Sequence, residues 1–147
     1  MSGPSPAKSP KMPILPGVAY FALVFALGFL LGAVRTLFVQ DAPSGGRLLG
    51  VLIELPIMLG ASWFLCRYVV RRFAVASTVA ARAVMGGLAF ALLLLAEFLV
   101  GALLFGRTPG EHFTLYKEAS YVLGLVAQMA FALMPLVQLQ QGKQPRA

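Results

Sequence analysis

The sequence predicts an all-α integral membrane protein, a four-helix transmembrane bundle with short loops. Three observations lead to this fold class. Hydrophobic residues make up 59% of the 147 residues, and the mean hydropathy is +0.84. Charged residues make up 12%, about half of the roughly 25% that is typical of soluble domains. Four apolar runs each reach about the 20 residues that a helix needs to cross a bilayer.

The four spans follow one another with little chain between them. They are placed near residues 16–39, 48–70, 80–105 and 118–139. The bundle therefore covers 16–139. The segment 1–15 is rich in proline and serine and predicts a disordered N-terminal tail, and 140–147 predicts a short C-terminal tail. The first apolar run is longer than a signal-peptide core of roughly 7–15 residues and has no small-residue cleavage site, so we interpret it as a retained span.

The connections between the spans are short. Pro43 in the first outer loop favours a turn, and Ser77 or Thr78 can cap the third helix. The second outer loop, 106–118, is the longest. With so little chain outside the bilayer, any function lies among the helices or on these loops.

Orientation follows from the lysine and arginine residues that flank the spans. Eight of the 12 basic residues lie in the two tails and in the loop between spans two and three. This bias predicts that both termini are cytoplasmic, in the inner (plasma) membrane of a bacterium. We expect four arginines of that loop to contact anionic lipid headgroups: Arg67, Arg71, Arg72 and Arg82. The net charge of +7 is thereby explained without a nucleic-acid partner.

Three charged residues interrupt the apolar spans, where charge is costly and faces the bundle interior or marks function. Counting about 1.5 Å per residue, Arg35, Glu54 and Glu97 lie roughly 6, 10 and 12 Å below the same membrane face. This common level predicts one intramembrane polar cluster, with Arg35 between Glu54 and Glu97. Gln128 of span four lies deeper and completes it.

Helical spacing gives an independent indication of facing, because residues three, four and seven apart share one side. Each intramembrane polar residue lies on the small-residue stripe of its own helix, where backbones can approach closely. We expect four glycines of these stripes to pack helix against helix: Gly28, Gly32, Gly101 and Gly124.

Three classes of function remain open from these residues. An accessory or structural subunit would use the Arg/Glu layer to hold its helices in register, beside a membrane-protein partner. The alternative is a small proton-coupled transporter that works as a homo-oligomer through an intramembrane glutamate. A membrane enzyme, or a quinone- or lipid-binding module, is the third.

The inventory of reactive residues favours a protein without catalytic activity. The single Cys66 and the single His112 exclude a multi-thiolate or multi-histidine metal site within one copy. No glycine-rich phosphate loop occurs, and His112 beside Glu111 is typical of a solvated surface pair. We therefore expect no catalytic residue, no metal and no cofactor.

Overall fold

The computed structural model describes residues 12–39 and 44–142. Five α-helices follow in order: α1 (Ile14–Val39), α2 (Ser44–Arg72), α3 (Val79–Phe105), α4 (Pro109–Thr114) and α5 (Ala119–Gln141), with a 3₁₀ turn at Leu115–Lys117. Four of them are long and apolar enough to cross a membrane. The described part of the chain contains no strand, so the predicted all-α four-helix architecture is confirmed.

Some expectations fall outside the described residues. Most of both predicted tails lies in residues 1–11 and 143–147, and the predicted turn at Pro43 lies in 40–43.

Each long helix packs against two neighbours. Helices α1 and α5 each contact both α2 and α3, so α1 stands diagonally opposite α5, and α2 stands diagonally opposite α3. The connection 73–78 therefore joins two helices whose backbones are not adjacent in the bundle. This order decides which intramembrane side chains can meet.

The buried core occupies the end of the bundle nearest the 73–78 connection. It gathers residues from all four long helices, among them Tyr20, Cys66, Met85 and Phe131. The rings of Tyr20 and Phe131 stack with centroids 4.4 Å apart, and the Tyr20 hydroxyl donates to the Phe131 main-chain carbonyl at 3.2 Å. These contacts bridge the diagonal between α1 and α5.

Helices α3 and α5 approach each other closely at Gly86. A Cβ on this glycine would collide with the main-chain carbonyl of Ala132 and would lie 3.5 Å from the Pro135 ring. A small residue at this point lets the two backbones meet, as small residues do in membrane helix pairs.

The ends of α3 and α4 are set by local chemistry. Thr78 accepts a hydrogen bond from the Ala81 N–H at 3.3 Å and caps α3, in line with the sequence expectation. Gly106, with φ +63° in the left-handed region, ends α3, where a residue without Cβ is favoured. Thr108 and Glu111 then form a reciprocal capping box that starts α4.

Candidate functional site

A cavity of about 990 Å³ lies between the helices and extends from the buried core, whose Val24, Leu93 and Phe131 line its inner end, toward the end of the bundle near α4. Side chains from all four long helices line it. The four polar residues predicted to form the intramembrane cluster are all among them: Arg35, Glu54, Glu97 and Gln128. One end of the bundle is therefore packed, and the other is open around polar groups.

Arg35 and Glu54 form an ion pair between α1 and α2. The Arg35 Nη1 atom lies 2.5 Å from the Glu54 Oε2 atom, and the two side chains keep 31% and 22% of their surface exposed. A Cβ on Gly50 would lie 2.9 Å from the Arg35 Cδ atom. The glycine one turn before Glu54 thus leaves room for the arginine to reach it.

Glu97 pairs with Gln128 rather than with Arg35. The Gln128 Nε2 group donates to Glu97 Oε1 at 2.5 Å, between α3 and α5. The structure therefore divides the predicted single cluster into two pairs. Glu54 of α2 bonds to a residue of α1, and Glu97 of the diagonally opposite α3 bonds to a residue of α5.

The predicted packing glycines fall into two groups. A Cβ on Gly28 would lie 3.2 Å from Met58 Cε, and one on Gly101 would lie 3.0 Å from His112 Nδ1, so both make close contacts. A Cβ on Gly32 or Gly124 would meet no described atom within 4 Å. All four glycines line the cavity, and at Gly32 and Gly124 the missing side chain leaves it open.

Helix α4 and the 3₁₀ turn bring an aromatic group to the mouth of the cavity. The His112 ring lies 5.4 Å from the Phe98 ring and 6.0 Å from the Tyr116 ring, centroid to centroid, and Tyr116 lies 6.4 Å from Tyr121. His112 is therefore packed against α3, and is not the solvated partner of Glu111 that the sequence suggested. The inward-facing Gly101 is the signal that could have indicated a docking position for this ring.

Two polar atoms of the cavity lining are buried and have no hydrogen-bond partner among the described residues: His112 Nδ1 and Gln128 Oε1. Such orphaned groups cost free energy unless a ligand or water satisfies them. Both lie on side chains that line the cavity.

Two ionisable groups outside the spans are perturbed near the mouth. Partial burial, followed by the charge of Glu97 and then the nearby Tyr121, raises the pKa of Tyr116, so its hydroxyl stays a donor at neutral pH. Hydrogen bonds from the Thr108 N–H and the Thr108 hydroxyl lower the pKa of Glu111. The Glu111 carboxylate is thereby committed to capping α4 and is not part of the cavity lining.

Of the four arginines at the other end of the bundle, three line an open groove and one is buried. An open groove along the last turns of α2 is lined by Phe64, Arg67, Tyr68, Arg71 and Arg72. Arg82 departs from the expectation of a headgroup contact, because it is 6% exposed. It donates to the main-chain carbonyls of Ala76 and Val75 at 3.2 and 3.4 Å and so secures the 73–78 connection. The contact between the other three arginines and lipid stays a prediction.

The ionisable and polar groups that line the cavity include carboxylates, guanidinium groups, an amide, an imidazole and phenols. Among the described residues no group of three histidine, cysteine or acidic side chains could hold a metal ion. Comparison with family models, curated proteins and solved structures finds no match for the chain.

Proposed function

We propose that this small multi-pass membrane protein binds a small molecule between its helices and carries it across the membrane, coupled to protons through Glu97. One observation carries the proposal. The intramembrane polar residues line an open cavity of about 990 Å³ instead of being closed off between packed helices. This volume is at the upper end of the roughly 300–1,000 Å³ of small-molecule pockets.

The position of Glu97 supports the coupling to protons. Its carboxylate lines the cavity and is bonded by a neutral amide, that of Gln128. Intramembrane acids in such surroundings serve as proton relays in pumps and transporters. Because four helices enclose little space and this cavity is open, a second copy would supply the opposing wall, and the working unit is a homo-oligomer.

The orientation belongs to the same proposal. With both termini cytoplasmic in a bacterial inner membrane, the cavity opens to the periplasm. Arg67, Arg71 and Arg72 then lie at the cytoplasmic surface, where anionic headgroups attract basic side chains.

An accessory subunit is the second candidate, and one feature of α3 favours it. Three small residues one turn apart, Ala83, Gly87 and Ala91, are exposed on its outer surface, and a Cβ on Gly87 would meet nothing within 4 Å. A helix of a partner protein could approach this stripe closely.

Native mass spectrometry of the protein extracted gently from its own membrane separates the two candidates. The carrier proposal expects a retained small molecule that is lost in Gly124→Leu, because the added side chain fills the cavity. Gly60→Leu is the matched control, since Gly60 is exposed, has open space at its Cβ and is absent from the cavity lining.

A distinct protein retained at fixed stoichiometry, with no small molecule, would replace the carrier proposal with the accessory subunit. A small molecule retained equally by wild type and Gly124→Leu would show that it binds elsewhere and would overturn the role of the cavity.

A further inference from the structure

We propose that the ligand of the cavity is a lipophilic organic cation, an amine or quaternary ammonium, held on the Glu97 carboxylate; this inference rests on the proposed function. It deepens that function by naming the charge and the character of the substrate.

Among the described residues, one carboxylate of the cavity lining has no ion-pair partner. Glu54 is neutralised by Arg35 at 2.5 Å. Arg107 also lines the cavity, but its guanidinium carbon lies 4.8 Å from the centre of the Phe105 ring and it forms no ion pair with Glu97. Among the described residues Glu97 forms no ion pair, and its hydrogen-bond partner is the neutral Gln128.

Among the described residues, the ionisable side chains with a resolved electrostatic interaction with Glu97 are His112 and Tyr116. Neither is a permanent cation, in contrast to an arginine or a lysine. An anionic ligand would be repelled by the Glu97 carboxylate, and a neutral apolar ligand would leave that carboxylate without a counter-charge in a low-dielectric site. A cation is the ligand that gives the Glu97 carboxylate a counter-charge in direct contact.

The walls of the cavity determine the character of the cation. Six phenylalanine and tyrosine side chains line it: Phe25, Phe29, Phe105, Tyr116, Tyr121 and Phe131. Aromatic faces attract cations, most strongly when the site is desolvated. They also favour an organic surface over a hydrated metal ion, which would lose its water against these rings.

Gln128 contributes a further indication of the ligand. Its Oε1 atom is a buried acceptor without a partner in the described part of the chain, on the side chain whose Nε2 group bonds to Glu97. A protonated amine can donate to this oxygen and to the carboxylate at once, which would satisfy both acceptors.

The test compares two ions of nearly equal size and shape and opposite charge, tetraphenylphosphonium and tetraphenylborate. Each is titrated onto the full-length protein in lipid nanodiscs, and the signal of empty nanodiscs is subtracted to remove partition into lipid. We count as cavity binding only the saturable part that Gly124→Leu abolishes. We expect the phosphonium to bind about tenfold tighter than the borate, because attraction to a charge is strong in a low-dielectric site.

Two variants test whether the preference for the cation depends on the charge of Glu97 or on the net charge of the protein. Glu97→Gln keeps the shape of the side chain and removes its charge, and it should lose the preference for the cation. Glu118→Gln makes the same change in net charge at an exposed residue outside the cavity lining, and it should keep the preference. If Glu97→Gln fails to fold, the comparison of the two ions on the wild-type protein still decides the question.

Equal saturable binding of both ions, or tighter binding of the borate, would overturn the cation inference and leave the carrier proposal standing. Retention of the preference in a folded Glu97→Gln protein would also overturn it. Absence of saturable binding of either ion would refute the cation inference, and the carrier proposal fails separately only if native mass spectrometry also finds no cavity-dependent ligand.

Discussion

The closeness of α3 and α5 can be tested by adding a single methyl group at Gly86. The Gly86→Ala variant places a Cβ where the main-chain carbonyl of Ala132 already lies. Because the obstructing atom belongs to the backbone of a packed helix, no side-chain rotation can relieve the collision. The two helices must separate along the whole contact.

The neighbouring glycine supplies the matched control. Gly87 lies on the same helix, but a Cβ there meets nothing within 4 Å. Replacing glycine by alanine inside a helix stabilises it by about 1 kcal/mol in both variants, so this contribution cancels in the comparison. Over-packing costs about 1–3 kcal/mol, and we expect Gly86→Ala to be less stable than Gly87→Ala by that amount.

The assay is reversible unfolding in mixed micelles with a rising fraction of sodium dodecyl sulfate. The fluorescence of Trp63, the single tryptophan, and far-ultraviolet circular dichroism report the transition. Equal free energies of unfolding for Gly86→Ala and Gly87→Ala would refute the close backbone approach and, with it, the packed half of the bundle.

Three further predictions follow from the described contacts. Glu54→Gln should lower the free energy of unfolding in mixed micelles by about 1 kcal/mol, a typical value for polar contacts between membrane helices. Adding Arg35→Gln should recover part of this loss, because it removes the guanidinium that Glu54→Gln leaves unpaired. Tyr20→Phe should cost about 1 kcal/mol in the same assay through its lost hydrogen bond, while the ring stacking remains. Because the pKa of Glu111 is lowered by its bonds to Thr108, the capping box stabilises α4 fully above the ordinary carboxyl range and is lost as the pH falls through the lowered pKa. The Thr108 amide should lose its protection against hydrogen exchange there, measured relative to the intrinsic exchange rate at each pH, and unchanged protection would contradict this assignment.

The fold was predictable because hydropathy acts locally along the chain. Runs of about 20 apolar residues can satisfy their backbone in lipid only as helices, so the four spans follow from the sequence without knowledge of tertiary contacts. The cap of α3 at Thr78 was likewise predictable, because an N-cap bond forms within one turn of chain.

The polar residues of the site were predictable, and their pairing was not. Depth and helical facing are properties of single helices, and they brought Arg35, Glu54, Glu97 and Gln128 to one region. Which of them bond to each other depends on the order of helices around the bundle, and short loops leave that order open. Arg35 lies on α1, which is adjacent to the helices of both glutamates, so the sequence alone left both as candidate partners.

His112 and Arg82 show a second limit of local patterns. Each lies in or beside a short connection, where solvent exposure is the ordinary expectation. In the structure α4 folds back so that His112 meets Gly101 and Phe98, and Arg82 turns inward to the carbonyls of the 73–78 connection. Both contacts depend on the path of a loop, which hydropathy does not determine.

The central claim is that the polar end of the bundle is an open, water-accessible cavity. Reaction of an introduced cysteine with a charged methanethiosulfonate tests it most directly, because only an ionised thiol in contact with water reacts. Gly124→Cys places the thiol at the cavity lining, and Val126→Cys, two residues along the same helix, places it at a position that is 52% exposed outside that lining, toward lipid.

The wild-type protein, which carries the buried Cys66, is the control for any reaction of that native thiol. We predict rapid modification of Gly124→Cys and almost none of Val126→Cys or wild type. A thiol at position 124 as inert as the one at 126, in a folded protein, would contradict the account, because the polar residues would then lie in a closed seam between helices.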